Sequence, residues 1–389
     1  MPDGREPTTV NVLGSITEVT AAEWDACAGH DHPFCSHGFL SAMEDSGSAS
    51  AESGWLPRHL LIRDEDGALM AAAPLYLKSH SYGEYVFDWG WADAYERAGG
   101  RYFPKLLSAA PFTPATGRRL LVRRDLPPEL QEELAQALSQ AMVTLAERLG
   151  VSSLHINFIT REEWQKLGNL GLLQRTGQQF HWQNRDYADF DGFLNDLSSR
   201  KRKAIRKERA SVAAHDLDIL ALSGSDITEA HWDAFYRFYR ITSDKKWGQS
   251  YLNRKFFSLL GERMGESIVL IIVESAGRPV AGALNLKGGD TLFGRNWGCD
   301  TEYKFLHFEA CYYQAIDYAI ANGLKWVEAG AQGPHKVQRG YLPRPTYSAH
   351  WIADPGLRDA VKRFLSDERR DIEYEMQMLA NNSPFKNTE

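Results

Sequence analysis

Residues 267–298 read SIVLIIVESAGRPVAGALNLKGGDTLFGRNWG, and this stretch decides the fold. Three apolar runs, 267–274, 279–287 and 291–298, are separated by two short turns that contain glycine. Apolar runs of this length, bounded by turn residues, are typical of buried strands. Because short turns join strands that lie next to each other, we predict a three-strand antiparallel meander.

The elements around the meander indicate an α/β domain. Helical patterns precede it at 228–242 and 253–263, and an amphipathic helix ended by Asn322 and Gly323 follows it. A strand, LKWVEAG, comes next at 324–330. Helices on both sides of a meander and a further strand predict a mixed sheet flanked by helices.

The first half of the chain repeats this order of elements without visible sequence identity. It shows two short helices, a hairpin over 57–77, a strand-like run at 84–91, a long helix between Pro128 and Gly150, and a strand at 153–159. Leucines recur every three or four residues along the long helix. We therefore predict an α/β (α+β) chain of two tandem domains, 1–187 and 188–389.

Composition excludes several classes of protein. The 389 residues are 43% hydrophobic and 24% charged, which excludes a disordered chain or a fibre, and no apolar run approaches the ~20 residues of a spanning helix. The N-terminus lacks the pattern of a secretory signal, so we expect a cytoplasmic protein without integral membrane contact. The four cysteines and the histidines near residue 32 lack the spacing of a zinc site, so we expect no metal.

Charge is unevenly distributed along the chain. The net charge is −7, yet residues 200–209 (RKRKAIRKER) hold seven basic residues and one acidic residue. This stretch predicts one polyanionic partner, with Arg202, Arg206 and Lys207 as candidate contacts to phosphate or RNA. A solvated helix face is the alternative.

The same stretch carries a family resemblance. Residues 190–216 resemble the helix that introduces the second domain of Fem-type aminoacyl and acyl transferases, through Leu197, Arg202, Ile205, Arg206 and Lys207. HPFCSHGFL (32–40), EAGAQGPHKVQRGYLP (328–343) and TYSAHW (346–351) resemble the FemAB-like, peptidoglycan biosynthesis and recognition type of predicted N-acyltransferase. The resemblance implies two fused domains of the Gcn5-related N-acetyltransferase (GNAT) fold. It also implies transfer of an acyl or aminoacyl group to a small-molecule amine bound between the domains.

The sequence departs from acetyltransferases where those enzymes bind coenzyme A. Their glycine-rich phosphate loop follows the fourth strand, but here that position, residues 299–313, contains no glycine. We therefore expect no tightly bound cofactor and a donor on tRNA or an acyl carrier protein, with acyl-CoA as the alternative. A non-catalytic ligand-binding protein on the same fold also stays open, and the sequence leaves the oligomeric state undetermined.

The candidate catalytic residues lie in the loop after strand 324–330, at the end of that strand, and, for His350, in the predicted last strand 346–352. Acyl transfer requires a cation or N–H groups beside the developing oxyanion, and the resemblance assigns that role to Lys336. Glu328, His335 and His350 are candidate proton acceptors or orienting groups. Gln332 and Arg339 lie in the same glycine-flanked loop and are candidate substrate-binding residues.

Other candidate substrate-binding residues lie at the ends of predicted strands. Asp88, Trp89 and Trp91 place aromatic rings beside a carboxylate, a combination that suits a cationic or sugar-like acceptor. Arg295 and Trp297 occupy the matching place in the second half and suit a carboxylate or phosphate. Lys246 adds a cation to the same predicted cleft.

Overall fold

The structure is a computed structural model that describes residues 9–248, 250–331 and 333–386, apart from the side chains of Lys246 and Trp247. Its first elements are β1 (Val10–Leu13), α1 (Ala21–Ala28), α2 (His37–Asp45), β2 (Trp55–Pro57), β3 (His59–Arg63), β4 (Leu69–Ala73), β5 (Tyr76–Lys78), α3 (Trp89–Arg97), β6 (Lys105–Ser108), β7 (Leu121–Val122), α4 (Pro128–Leu149), β8 (Ser153–Ile159), α5 (Arg161–Asn169) and β9 (Leu173–Gln183).

The remaining elements follow a short linker. They are α6 (Phe190–Asp196), α7 (Ser199–Ala213), β10 (Asp218–Leu222), α8 (Glu229–Trp247), α9 (Arg254–Met264), β11 (Ile268–Ser275), β12 (Arg278–Gly288), β13 (Thr291–Cys299), α10 (Leu306–Phe308), α11 (Gln314–Ala321), β14 (Trp326–Glu328), β15 (Leu342–Ile352) and α12 (Pro355–Asn381). A π turn, Glu309–Tyr313, joins α10 to α11. The predicted meander is present as β11, β12 and β13, paired antiparallel.

The chain divides into two compact units. The first contains the described residues up to Thr176 together with Thr346–Arg369, and the second contains Gly177–Pro345 with the described residues from Arg370 onward. These limits differ from the expected domains 1–187 and 188–389, because β15 pairs with β8, with His350 opposite His155. Contacts distant in sequence therefore assign residues 346–369 to the first unit.

The first unit holds two sheets around α4. One has the order β1-β3-β4-β7, and the other contains the neighbours β15-β8-β6-β5-β2. Leu134, Leu138 and Met142 of α4 are buried against both sheets, and Gly150 ends the helix with φ 61°. The helix predicted from leucine spacing is thus confirmed.

The run at 84–91, predicted as a strand, has a different structure. Residues 79–88 form neither helix nor strand, and α3 begins at Trp89. Glu84 and Asp88 turn inward to Lys105. A tertiary ion cluster has therefore overridden a local strand-like pattern.

The second unit is a mixed sheet between two helical layers. Its strands run β10-β11-β12-β13-β14-β9, and only the β13–β14 pairing within this set is parallel. Helix α8 packs on β12 and β13, while α6, α7 and the helical residues 306–321 share a core with Trp182, Phe193 and Tyr313. Within the described residues, no helix is both long and apolar enough to cross a membrane.

Candidate functional site

A buried lysine lies in the loop that follows β14. Lys336 belongs to a short 3-10 helix, Pro334–Arg339, and only 5% of the residue is exposed. Its ammonium donates hydrogen bonds to the carbonyl oxygens of Ala329 and, at 3.3 Å, of Gly330. Both of these acceptors are neutral carbonyl oxygens, and they orient the ammonium.

Glycine makes this loop possible. Gly340 ends the turn with φ 88°, and a Cβ atom there would lie 2.9 Å from the Phe193 ring. A residue with a side chain would face both backbone strain and a clash. The loop is therefore held against the core of the second unit, which keeps Lys336 in place.

Glu328 ends β14 and faces a histidine on the neighbouring strand. The β9–β14 register places Glu328 opposite His181, with Glu328 Oε1 3.8 Å from His181 Nε2. Burial, followed by the positive charges of Arg344 and Lys336, lowers the pKa of His181 to about 3. The imidazole is therefore neutral at physiological pH, and its buried Nε2 has no hydrogen-bond partner among the described residues.

Arg295 lies at a bulge in β13. Leu284 pairs with Asn296 and Asn285 pairs with Gly294, so Arg295 is the extra residue of the β12–β13 ladder. Bulges re-aim side chains and are frequent beside active sites. In the parallel β13–β14 pairing Phe293, two residues earlier, is opposite Glu328. The predicted residues Arg295, Glu328 and Lys336 thus belong to one region of the second unit.

Two other predicted residues on or near this loop, Trp297 and His335, have different environments. Trp297 is half-buried, with its ring centroid 5.4 Å from that of His307. His335 is exposed, and its Nε2 lies 3.2 Å from the Tyr312 hydroxyl. Partial burial, followed by Arg339 and Lys336, lowers the pKa of His335.

Arg339 has a full set of protein contacts. Its guanidinium donates to both carboxylate oxygens of Glu208 on α7, to the Tyr313 hydroxyl at 3.1 Å and to the His335 carbonyl at 2.9 Å. It also lies 3.5 Å over the Phe308 ring. These contacts favour a brace between the loop and two helices over a direct substrate contact.

The basic helix α7 has one buried and one exposed side. Ile205 is buried, and Arg209 donates to Glu309 and Asp317 at 2.9 and 2.8 Å. Of the three residues predicted to contact phosphate, Arg202 bonds Asn195 and Arg206 bonds Asp191. Lys207 is exposed, and it shares its helix face with two other exposed cations, Arg200 and Lys203.

Two of the predicted residues of the first unit, Asp88 and His350, lie in a polar layer on the sheet face opposite α4. The residues of this layer come from β5, β6, β8, β15 and the segment between β5 and β6, and hydrogen bonds or ion pairs link them. They are Lys78, Ser81, Glu84, Asp88, Tyr102, Lys105, Ser153, His155, Ser348 and His350. They are all buried. A hydrogen-bonded polar cluster is thus enclosed within this unit.

Within the polar layer, His350 is paired with a second histidine. His350 Nδ1 lies 2.7 Å from His155 Nδ1, and His350 Nε2 lies 2.9 Å from the Ser348 hydroxyl. Burial lowers the pKa of both imidazoles, that of His155 to about 3. One ring must donate through Nδ1 and the other accept, so the pair favours a structural role for His350.

The aromatic residues near Asp88 differ in exposure. Trp91 is buried, with its ring centroid 5.0 Å from that of His350, whereas Trp89 is 40% exposed and contacts Tyr82 edge to face at 4.9 Å. Asp88 is buried and bonded to Lys105. Gln332 and the Lys246 side chain lie outside the described residues.

His181, Lys105 and Glu84 were missed by sequence reasoning. A histidine in the middle of a strand carries no local signal, and only the antiparallel register with β14 places it opposite Glu328. Lys105 follows Pro104 in a run that resembles an ordinary strand start. Its environment comes from a segment about 20 residues earlier in the chain.

Comparison with known proteins identifies the fold and family. A family model named FemAB-like, described as peptidoglycan biosynthesis/recognition, matches residues 15–387. FemX is similar in structure with a TM-score of 0.56 and 13% identity, covering 88% of this chain and 98% of FemX. L-PGS from Bacillus licheniformis has a TM-score of 0.51 and 10% identity, covering 86% and 98%.

A third known structure is also similar to this chain over most of its length. A conserved protein of unknown function from Bacteroides thetaiotaomicron has a TM-score of 0.53 and 10% identity, covering 89% of this chain and 100% of that protein. No curated protein matches the sequence. The predicted α/β fold of tandem GNAT-type domains and the predicted family are confirmed. The chain therefore belongs to the FemAB-like family.

Proposed function

We propose that this chain transfers an acyl or aminoacyl group to an amine, with Lys336 stabilising the oxyanion that develops on the transferred carbonyl. The observation that carries the proposal is a buried ammonium, oriented by two neutral carbonyls, next to the end of β14. A preorganised cation in a place with little water stabilises developing negative charge far better than one in solvent. Membership of a family described as peptidoglycan biosynthesis/recognition supports a transferase.

Glu328 and His181 supply the acid–base part of the proposal. The amine nitrogen attacks the carbonyl carbon and loses a proton, while the bond from that carbon to the donor oxygen or sulfur breaks. We assign the departing amine proton to the Glu328 carboxylate, with neutral His181 as its neighbour at 3.8 Å. Protonated Glu328 returns this proton, directly or through water, to the departing oxygen or sulfur, so the donor leaves as an alcohol or thiol and the carboxylate is restored.

The donor we propose is an aminoacyl ester on tRNA or a thioester on a carrier protein. Both are acidic macromolecules, and Arg200, Lys203 and Lys207 form an exposed cationic face on α7. The segment before α10 has no glycine to bring backbone N–H groups close to a pyrophosphate, and Phe305 there has φ 68°. Acyl-CoA is accordingly the donor that this site favours less.

Hydroxylamine provides a test because it is a small amine that accepts acyl groups from esters and thioesters. Wild-type protein is mixed with hydroxylamine and one donor: bulk aminoacyl-tRNA, an acyl carrier protein loaded with an acyl thioester, or acetyl-CoA. The hydroxamate formed above the protein-free rate is measured. We expect Lys336→Met to lower this rate about 10²–10³-fold. Glu328→Gln should also lower it, whereas Lys362→Met, an exposed control on α12, should not.

The outcomes separate the alternatives. Equal rates for wild type and Lys336→Met would remove Lys336 from the mechanism. Binding of a donor without any transfer would identify a ligand-binding protein and overturn the proposed activity. Transfer from acetyl-CoA alone would replace the proposed donor class.

A further inference from the structure

Two carboxylates of the polar layer in the first unit have incomplete hydrogen bonding. The Lys105 ammonium donates to Glu84 Oε2 at 2.8 Å and to Asp88 Oδ2, and the Tyr102 hydroxyl donates to the same Asp88 oxygen at 2.8 Å. The second oxygens, Glu84 Oε1 and Asp88 Oδ1, are buried and accept no hydrogen bond from the described residues. A buried carboxylate oxygen without a donor is costly, so each requires a physical explanation.

Lys78 does not satisfy these oxygens. Its ammonium lies 3.8 Å from Glu84 Oε1, beyond hydrogen-bond distance, and 3.8 Å over the Trp55 ring. Burial lowers the pKa of Lys78 to about 7, with a further contribution from the positive charge of Lys105. Near neutral pH, Lys78 is therefore only partly protonated, and Lys105 is the cation that hydrogen-bonds both Glu84 and Asp88.

A further acceptor on this part of the sheet, the buried side-chain oxygen of Asn157, also lacks a hydrogen-bond donor among the described residues. Asn157 lies on the same face of β8 as His155, since alternate residues of a strand share a face. Glu84, Asp88 and Asn157 all offer acceptors. A ligand group that donates N–H bonds and carries positive charge fits them, whereas a phosphate or carboxylate would add repulsion.

The segment that covers the layer has an aromatic outer surface. Residues 79–88 form no helix or strand, and they bury Glu84 and Asp88 while exposing the rings of Tyr82 and Phe87. Tyr82 meets the exposed Trp89 ring edge to face at 4.9 Å. Faces of tyrosine and tryptophan rings attract ammonium groups, so this part of the chain combines exposed cation-attracting rings with buried carboxylates.

We propose that the polar layer is a binding site for the primary ammonium group of a small ligand, which donates hydrogen bonds to Glu84 Oε1 and Asp88 Oδ1. The site lies within the first unit and does not depend on the transferase activity proposed for the second. A ligand reaches it by displacement of the irregular segment 79–88. Its recognition elements are the paired carboxylates inside and the aromatic rings outside.

The test uses n-butylamine, which is charged at pH 7.5, and full-length protein without any acyl donor. Ligand-detected NMR titration compares n-butylamine with tetramethylammonium, which has charge but no N–H group, and with n-butanol, which has no charge. We expect saturable binding of n-butylamine that is about tenfold or more tighter than that of either comparison compound. This comparison needs no variant, so a folding defect cannot obscure it.

Variants then locate the site. We expect Glu84→Gln and Asp88→Asn each to weaken n-butylamine binding about tenfold or more, while Asp93→Asn should not change it. Asp93 is a matched control because it lies on α3 and is exposed, paired with Arg97 at 2.7 Å. Absence of saturable binding, equal affinity for tetramethylammonium, or unchanged affinity in a folded Glu84→Gln protein would each overturn the proposal.

Discussion

Replacement of Arg339 by methionine should destabilise the loop that holds Lys336. Arg339 is 7% exposed, and its guanidinium is bonded to the Glu208 carboxylate, to Tyr313 and to the His335 carbonyl. Methionine retains much of the stem but leaves the Glu208 carboxylate without its counter-ion. Removal of one partner of a buried ion pair costs about 3–5 kcal/mol.

We expect the lower end of this range. The Glu208 side chain is 16% exposed, so water recovers part of its solvation after the substitution. Loss of the contact over Phe308 adds about 0.5–2 kcal/mol. Together these effects predict a cost of about 4 kcal/mol, which corresponds to roughly a 1000-fold rise in the open population of the loop.

Hydrogen–deuterium exchange of peptides covering 334–341 measures this population directly. Exchange is preferable to a single unfolding transition because two units need not unfold together. Arg240→Met is the control: its ion pair with Asp244 is exposed and long, at 3.8 Å, so exchange at 334–341 should stay unchanged. A rise of less than about fivefold in Arg339→Met would show that the ion pair does not hold the loop.

Three further predictions address other parts of the chain. Gly298→Ala should destabilise the second unit by about 1–3 kcal/mol, measured by urea denaturation, because a Cβ there would lie 2.1 Å from a carbonyl oxygen of α8; an unchanged midpoint would contradict this. The free energy of unfolding of the wild type should rise between about pH 7 and 10 by up to about 1.4 kcal/mol per pH unit, because the unfolded chain holds a proton that buried Lys78 releases. Lys78→Met should lower this slope, and equal slopes in the two proteins would refute the reasoning. The double substitution Lys203→Glu and Lys207→Glu should weaken tRNA binding and reduce the slope of log affinity against log salt concentration by about one per lysine. An equal effect from Lys362→Glu would indicate that tRNA responds only to the overall charge of the protein.

Local sequence was sufficient for the elements whose signal lies within a few residues. Leucine spacing and the flanking proline and glycine predicted α4, and apolar runs between short turns predicted β11, β12 and β13. The lysine-containing loop was identifiable because its glycines and cations lie together in the chain. In each case the residues that determine the structure are neighbours in sequence.

Tertiary structure determined the features that join distant parts of the chain. The register of β9 against β14 brought His181 to Glu328, the pairing of β15 with β8 brought His350 to His155, and Lys105 drew Glu84 and Asp88 inward from a run that resembled a strand. The basic composition of α7 was evident from the sequence, but the division of its cations into braces such as Arg209 and exposed groups such as Lys203 required the core beneath the helix. Sequence specifies local propensity and charge, whereas burial and the pairing of distant groups depend on strand register and packing, which no short window of sequence contains.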